Sequence, residues 1–113
     1  MTTLPELLEA LESATEPSPQ LDGMIDGVLM DFDGEAWPAR YTSCLDAAVS
    51  LCSAVLPGWT AWEIRSRANK TRFHAEVSRV VDGEEEYIAA SHSTPALALV
   101  TAVVEAKIAM EEI

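Results

Sequence analysis

Three carboxylates alternate with other residues in one short segment: Asp31, Asp33 and Glu35. Alternating oxygen ligands are what a calcium-binding loop supplies, and such a loop also needs a closing glutamate about twelve residues after its first ligand. Position 42 is a threonine instead. We therefore interpret the segment as a solvated acidic loop and expect no dedicated metal site.

The same segment, residues 28–35, resembles the first motif of haloacid-dehalogenase-type phosphatases. In that family an apolar strand delivers two aspartates, a nucleophile and an acid/base, to a magnesium ion. Here Glu35 stands where a threonine normally follows the glycine, and its charge would repel a phosphate. The family also needs a lysine and a later acidic pair, set in a parallel sheet, to complete metal and phosphate binding. The rest of this chain does not provide that combination, so we expect no phosphatase chemistry.

A thiol offers a second possible chemistry. Cys44 is predicted in the first turn of a helix, where free backbone N–H groups favour a thiolate, and His74 or His92 could complete a Cys–His pair. Neither histidine has a neighbour in sequence that would orient it, and cysteine is commonly a buried core residue. Cys52 lies eight residues further on, roughly 12 Å along a helix, which is too far for a disulfide. The sequence therefore predicts a reduced, non-enzymatic protein without a cofactor.

Basic side chains gather on one predicted hairpin, with Arg65, Arg67 and Arg72 at its centre. They could bind the phosphate of a small nucleotide ligand in a dimer cleft, or they could form an exposed strand face paired with the protein's own acids. Direct nucleic-acid binding is disfavoured because the rest of the chain is strongly negative.

The net charge is −12 at pH 7, and ten carboxylates stand against Arg40 alone in the first 46 residues. A concentrated field of one sign attracts cationic partners. The acids around the Asp82–Gly83 turn form a second cluster, which would merge with the first if the fold brought the two together. The acids predicted to contact a partner are Glu6, Glu9, Glu12, Glu16, Asp31, Asp33, Glu35, Glu84, Glu85 and Glu86.

Length and composition indicate one folded domain, residues 1–113. With 49% hydrophobic residues the chain can bury a core, and no apolar run reaches the roughly 20 residues that cross a bilayer. The first six residues lack the cationic start and apolar block of a secretory signal. We therefore expect a protein of the host cytoplasm that does not contact the membrane.

Local signals divide the chain into elements. Thr3 with Glu6, and Ser43 with Asp46, have capping-box spacing, Ser18–Pro19 can start a second helix, and Asp82–Gly83 predicts a tight hairpin turn. The predicted elements are N-terminal helices within 3–30, a loop at 31–42, a helix at 43–56, strands within 59–91 and a C-terminal helix at 94–111.

The C-terminal helix begins with an almost wholly apolar stretch, residues 96–104, after Thr94 as N-cap and Pro95 at its first position. A helix without a polar face must be covered on more than one side, by its own sheet and by another helix or a second subunit. The predicted fold is α+β, a three- or four-stranded antiparallel meander between helical layers (α/β/α).

Residues 41–48, the Pro57–Gly58–Trp59 run and residues 93–100 are similar to the phage ABA sandwich domain family, small phage and prophage proteins mostly without assigned activity. The similarity extends in order over about residues 4 to 110. It implies the fold and a phage origin, and it carries no functional site because its motifs are caps and core positions.

Two functions are predicted. The first is a non-enzymatic inhibitor whose acidic surface binds a cationic host protein or ribonucleoprotein. The specific version of this function is an anti-CRISPR-like inhibitor that blocks nucleic-acid binding. The alternative is a homodimer that sequesters a nucleotide through Arg65, Arg67 and Arg72. A structural phage accessory protein is a third possibility.

Overall fold

The structure, a computed structural model, describes residues 3–14, 16–29, 40–56, 58–59, 61–66 and 72–111. Its elements are α1 (Leu4–Ser13), α2 (Pro19–Leu29), α3 (Leu45–Val55), β1 (Ala61–Ser66), β2 (Phe73–Val81), β3 (Glu84–His92) and α4 (Pro95–Glu111). The strands form one antiparallel sheet in the order β1-β2-β3. The predicted α+β class and antiparallel meander are confirmed.

Three helices begin where the sequence predicts. The Thr3 hydroxyl accepts the Glu6 N–H at 3.3 Å at the start of α1. The Ser18 hydroxyl accepts the N–H groups of Gln20 and Leu21 at α2, at 3.1 and 3.4 Å. The Thr94 hydroxyl accepts the Leu97 N–H at 3.1 Å before α4. These short-range bonds satisfy N–H groups that a helix start leaves without partners.

The start of α3 differs from the prediction. The N-cap is Cys44, without a side-chain hydrogen bond, so the prediction of Ser43 as the cap was wrong. The N–H groups of Ser43 and Cys44 both donate to the Arg40 carbonyl, at 3.2 and 2.8 Å. This turn ends one residue later than the capping-box spacing assumed, and it places Ser43 outside the helix.

The β2–β3 hairpin turns through Asp82 and Gly83, which have φ values of 53° and 82°. Two consecutive positive φ values are typical of the primed turns that match the twist of a hairpin. Because the turn has only these two residues, Val81 pairs directly with Glu84. Strand β3 therefore begins at Glu84, directly after the turn.

Helix α4 lies at the centre of the fold. Residues 96–104 are all buried, because β2 and β3 cover one side of α4 while α1 and α3 cover the other. The polar exception in this stretch, Thr101, donates its hydroxyl to the Leu97 carbonyl at 2.7 Å. The expected cover on more than one side is thus provided within the chain, by the sheet and by other helices.

The layers follow in the order sheet, α4, then α1 and α3, with α2 packed on α1. The described helices therefore gather on one side of the sheet, whereas the sequence placed helical layers on both sides. The reason is the apolar circumference of α4, which is buried completely only when other helices pack on the side that the sheet leaves open. The opposite face of the sheet carries polar residues such as Glu63, His74 and Glu76.

His92 joins the end of β3 to the end of α1. Its side chain is buried, and its Nε2 lies 2.7 Å from the Leu11 carbonyl oxygen, which can only accept. Its Nδ1 accepts the Ser93 N–H at 2.7 Å. These contacts assign a proton to Nε2 and an acceptor role to Nδ1, so both ring nitrogens are bound to backbone groups.

Replacing His92 should destabilise the fold, since the substitution removes a buried hydrogen bond between α1 and the sheet. We expect His92→Ala to lower the free energy of unfolding by about 1–3 kcal/mol. His74→Ala is the matched control, because His74 lies half-buried on the outer face, and its effect should stay within about 0.5 kcal/mol. Urea denaturation measures both, and equal losses for the two variants would contradict this role of His92.

Candidate functional site

The α1 acidic surface consists of Glu6, Glu9 and Glu12 on α1, together with Glu16, which follows the end of the helix. Leu7 and Leu11, one turn apart, are fully buried against the core, so the glutamates three residues apart fall on the solvent side. All four glutamates are exposed. The amphipathic pattern that makes α1 fold thus also presents its carboxylates to the outside.

The glutamates of the α1 acidic surface form no ion pair within the described part of the chain, and Arg72 is a cation that lines the same cleft as Glu12. The ion pairs found there, Glu63 with Arg65 and Arg79 with Glu86, both lie on the sheet. Glu12 instead repels another acid, Glu105 on α4. Burial, and secondly the negative charge of Glu12, raise the pKa of the Glu105 carboxyl. The α1 acidic surface is therefore an exposed region of negative charge on the described part of the chain.

Two further acids of the N-terminal half point inward. Asp22 and Asp26, one turn apart on α2, are buried. The N–H and hydroxyl of Thr42 both donate to Asp22 Oδ1, at 2.9 and 2.8 Å. The Tyr41 hydroxyl donates to Asp26 Oδ1 at 2.6 Å. These carboxylates hold the start of the 40–44 turn against α2 and do not add to the outer field.

Both aspartates are among the ten carboxylates that the sequence places in one anionic field. One feature of the sequence indicates that the two aspartates are buried: they directly follow Leu21 and Ile25, which belong to the apolar stripe of α2. Burial of the Tyr41 side chain, with the hydrogen bond to Asp26 and then the negative charges of Asp26 and Asp22, raises the Tyr41 pKa well above its ordinary value. In this contact the Tyr41 phenol therefore stays neutral and donates a hydrogen bond to the Asp26 side chain.

The hairpin acids form a second patch. Glu86 and Ser91 are five residues apart on β3, about 17 Å at ~3.3 Å per residue. Glu12 lines a cleft of about 420 Å³ together with Ser91 and His92, at the end of β3 far from the hairpin. Glu84, Glu85 and Glu86 therefore do not merge with the Glu12 end of the α1 acidic surface. Asp31, Asp33 and Glu35 lie outside the described residues.

The predicted basic site is only partly described. Arg65 pairs with Glu63 on the same strand, and Arg72 donates to the Ser91 carbonyl at 3.1 Å. Arg67 lies outside the described residues. Both described arginines are thus engaged by groups of the chain itself, and the nucleotide-binding hypothesis stays a prediction without support from these contacts.

The candidate Cys–His pair has no supporting geometry. Cys44 is exposed, and both ring nitrogens of His92 are used by backbone groups. The Nδ1 of His74 lies 3.5 Å from the Ser91 hydroxyl, its cross-strand neighbour. Among the described residues, no three His, Cys, Asp or Glu side chains are grouped closely enough to hold a metal ion. None of the described helices is long and apolar enough to cross a membrane.

A cleft at the hairpin end of the sheet was not predicted. We call it the Trp59 cleft; its volume is about 340 Å³, and it lies between β3 and the end of α4. The Arg79 guanidinium carbon lies 4.9 Å from the centre of the Trp59 ring, and the indole N–H donates to Met110 Sδ at 3.2 Å. Trp59 and Met110 are 51 residues apart, so no local pattern could have joined them.

Comparison with protein-family models, with curated proteins and with solved structures finds no match for this chain. The similarity to the phage ABA sandwich domain family therefore stays a prediction from the sequence.

The Tyr41–Asp26 contact predicts a specific pH dependence. At neutral pH, Tyr41→Phe should lower the free energy of unfolding by about 1–3 kcal/mol, because the buried Asp26 carboxylate loses its donor. Above pH 10.0, the ordinary tyrosine value, the unfolded chain loses the Tyr41 proton while the folded chain keeps it. Wild-type stability from this group then falls by about 1.4 kcal/mol per pH unit, and the gap between the two proteins narrows.

Urea denaturation of both proteins between pH 7 and 11.5 measures this gap. Tyr41→Phe supplies its own control, since all other titrating groups are common to the two proteins. A gap that stays constant through pH 11.5 would show that Tyr41 titrates normally in the folded state.

Proposed function

We propose that this chain is a non-enzymatic binding protein of phage or prophage origin. Its α1 acidic surface binds a cationic surface of a host protein or ribonucleoprotein. More specifically, the chain inhibits a host defence complex by covering the channel in which that complex binds nucleic acid. The observation that carries the proposal is the row of exposed glutamates on α1, none of which forms an ion pair with another described residue. Arg72 lines a cleft with Glu12 at one end of this row.

The row of glutamates is not explained by the needs of the fold. Neighbouring like charges three residues apart weaken a helix by a few tenths of a kcal/mol per pair. Glu6 alone has a local benefit, since it lies in the first turn of α1, where a negative charge is favourable. Glu9 and Glu12 lie beyond that turn, so their charges serve an outside partner better than they serve the helix.

Three described groups that could do chemistry, His92, Asp22 and Asp26, are engaged in structural hydrogen bonds. His92 binds backbone groups through both nitrogens, and Asp22 and Asp26 accept from Thr42 and Tyr41. These contacts support binding rather than catalysis as the role of the chain. The phage origin rests on the sequence similarity at residues 41–48 and 93–100.

Reversing charge on α1 should abolish binding to such a partner. A panel of guide-loaded CRISPR effector complexes is titrated with the protein, and binding of labelled target DNA is measured at 50 and 300 mM NaCl. We expect inhibition that weakens roughly tenfold or more at the higher salt, because exposed charges are screened over about 10 Å. Glu9→Lys/Glu12→Lys should lose the inhibition at both salt concentrations.

Asp46→Lys/Glu76→Lys is the control with the same change of net charge. Asp46 is on α3 and Glu76 is on the outer face of the sheet, so this variant should inhibit like the wild type at 50 mM NaCl. Equal loss in both variants would mean that total charge, not the α1 acidic surface, matters. Absence of inhibition across the panel would contradict the inhibitor role.

A further inference from the structure

Strand β3 forms an open edge of the described sheet. Its residues, Glu84–His92, pair one to one with β2, and the described part of the chain places no strand on the other side. On the face toward α4, Val77 and Ala75 of β2 are fully buried. Their partners on β3, Ile88 and Ala90, are only half-buried. The cover that closes the core over β2 is therefore incomplete at β3.

The register of the hairpin decides which backbone groups of β3 point to this edge. The residues that flank a two-residue turn bond to each other, so Glu84 and every second residue after it bond to β2. The intervening residues direct their N–H and C=O groups away from β2: Glu85, Tyr87, Ala89 and Ser91. The Ser91 carbonyl agrees with this assignment, because it accepts from the Arg72 side chain at 3.1 Å.

The two edges of the described sheet differ in their protection. Proteins normally guard an edge against pairing with a short strand, charged side chains, prolines or bulges. Strand β1 is six residues long and carries the exposed ion pair of Glu63 and Arg65. Strand β3 has nine residues and an unbroken register, and residues 87–91 contain neither a charge nor a proline. The β3 edge is therefore open to pairing along this stretch.

The Trp59 cleft lies next to the β3 edge on the face toward α4. Ile88 of β3 lines it together with Ala109 and Met110 of α4. Paired residues of neighbouring strands have their side chains on the same face. In a strand added to β3, the residue opposite Ile88 would therefore place its side chain at this apolar wall. The residue opposite Glu85 would lie on the outer face, beside an exposed carboxylate that favours a cation.

We propose that β3 binds an extended segment of a partner protein as a fourth, antiparallel strand opposite residues 85–89. The segment alternates apolar side chains at the Trp59 cleft with polar side chains on the outer face, and it carries a basic residue opposite Glu85. Main-chain hydrogen bonds supply the affinity of such a contact, and the cleft supplies its selectivity. A second copy of this chain fits less well, because two molecules with a net charge of −12 repel each other.

This interaction goes beyond the proposed function, and it does not use the α1 acidic surface. Amide hydrogen exchange of the free chain tests whether the edge is open. We expect the amides of Tyr87 and Ala89 to exchange about tenfold faster, or more, than those of Ile88 and Ala90, which bond to β2. Slow exchange at every protein concentration would mean that this chain covers its own edge, and slow exchange that dilution abolishes would mean that a second copy does. Either result would overturn the proposal.

The probe is the peptide acetyl-Thr-Val-Thr-Val-Arg-amide, designed to place its arginine opposite Glu85. Binding to the isotope-labelled full chain is followed by NMR through the amide signals of residues 84–92. Methylating the two threonine nitrogens removes N–H groups that bond to β3, whereas methylating the two valine nitrogens removes N–H groups that point away. We expect saturable shifts with the parent and valine-methylated peptides and none with the threonine-methylated peptide. Equal binding of the two methylated peptides, or no binding of the parent, would contradict the strand addition.

A proline variant tests the edge from the side of the protein. Because the Ala89 N–H does not bond to β2, the sheet should accommodate Ala89→Pro, and this variant should weaken the parent peptide about tenfold or more. Ser66→Pro, at the end of β1 on the opposite edge, is the matched control and should leave the Kd unchanged. Circular dichroism checks that both variants fold. If both bind the peptide like the wild type, the β3 edge is not the site.

A charge variant tests the position of the basic residue. Glu85→Gln should weaken the arginine peptide about twofold to fivefold, and it should not change the binding of the same peptide with glutamine in place of arginine. Glu9→Gln makes the same charge change on α1 and should leave the Kd of the arginine peptide unchanged. Equal weakening by the two variants would show that only total charge matters. Peptide binding without inhibition of any effector would leave the strand addition standing and refute the inhibitor role alone.

Discussion

The fold depends on the burial of α4 on two sides. Every residue from 96 to 104 is buried, and the sheet and the α1/α3 pair each cover one side. Since a buried Val or Leu side chain contributes about 1.5–3 kcal/mol, this stretch alone supplies a large share of the hydrophobic stabilisation. Because the other elements must turn their apolar sides toward α4, their polar sides face the solvent. The exposed parts are the glutamates of α1, the hairpin and the outer face of the sheet.

This arrangement sorts the acids into two kinds. A carboxylate can enter the interior only with hydrogen-bond donors, and Asp22 and Asp26 have them in Thr42 and Tyr41. The glutamates of α1 are exposed to solvent instead. The described surface acids therefore lie in separate patches, with the outward face of α1 as one and the hairpin at the Trp59 cleft as another.

Short-range signals predicted the fold well. Thr3, Ser18 and Thr94 cap the helices that they were expected to cap, and Asp82–Gly83 makes the expected turn. These features depend on groups within a few residues, so the sequence displays them directly. The cap of α3 was wrong because the turn from Arg40 competes with the local spacing. The apolar circumference of α4 predicted how much cover was needed, but not which side each helix takes.

The sites were harder to predict than the elements. The charge of α1 could be read from the sequence because its helical spacing places leucines and glutamates on opposite sides. The partners of Asp22 and Asp26 are 20 and 15 residues away, and the Trp59 contacts come from β2 and α4. Such groups meet only after the layers have packed, and no local pattern marks them.

Native-state hydrogen exchange tests the central position of α4 most directly. If the sheet on one side and α1 with α3 on the other bury it, amides of residues 97–104 should exchange only through global unfolding, with a protection free energy equal to that from urea denaturation and independent of protein concentration. If these amides exchange faster as the protein is diluted, a second subunit covers α4 and this account of the fold is wrong.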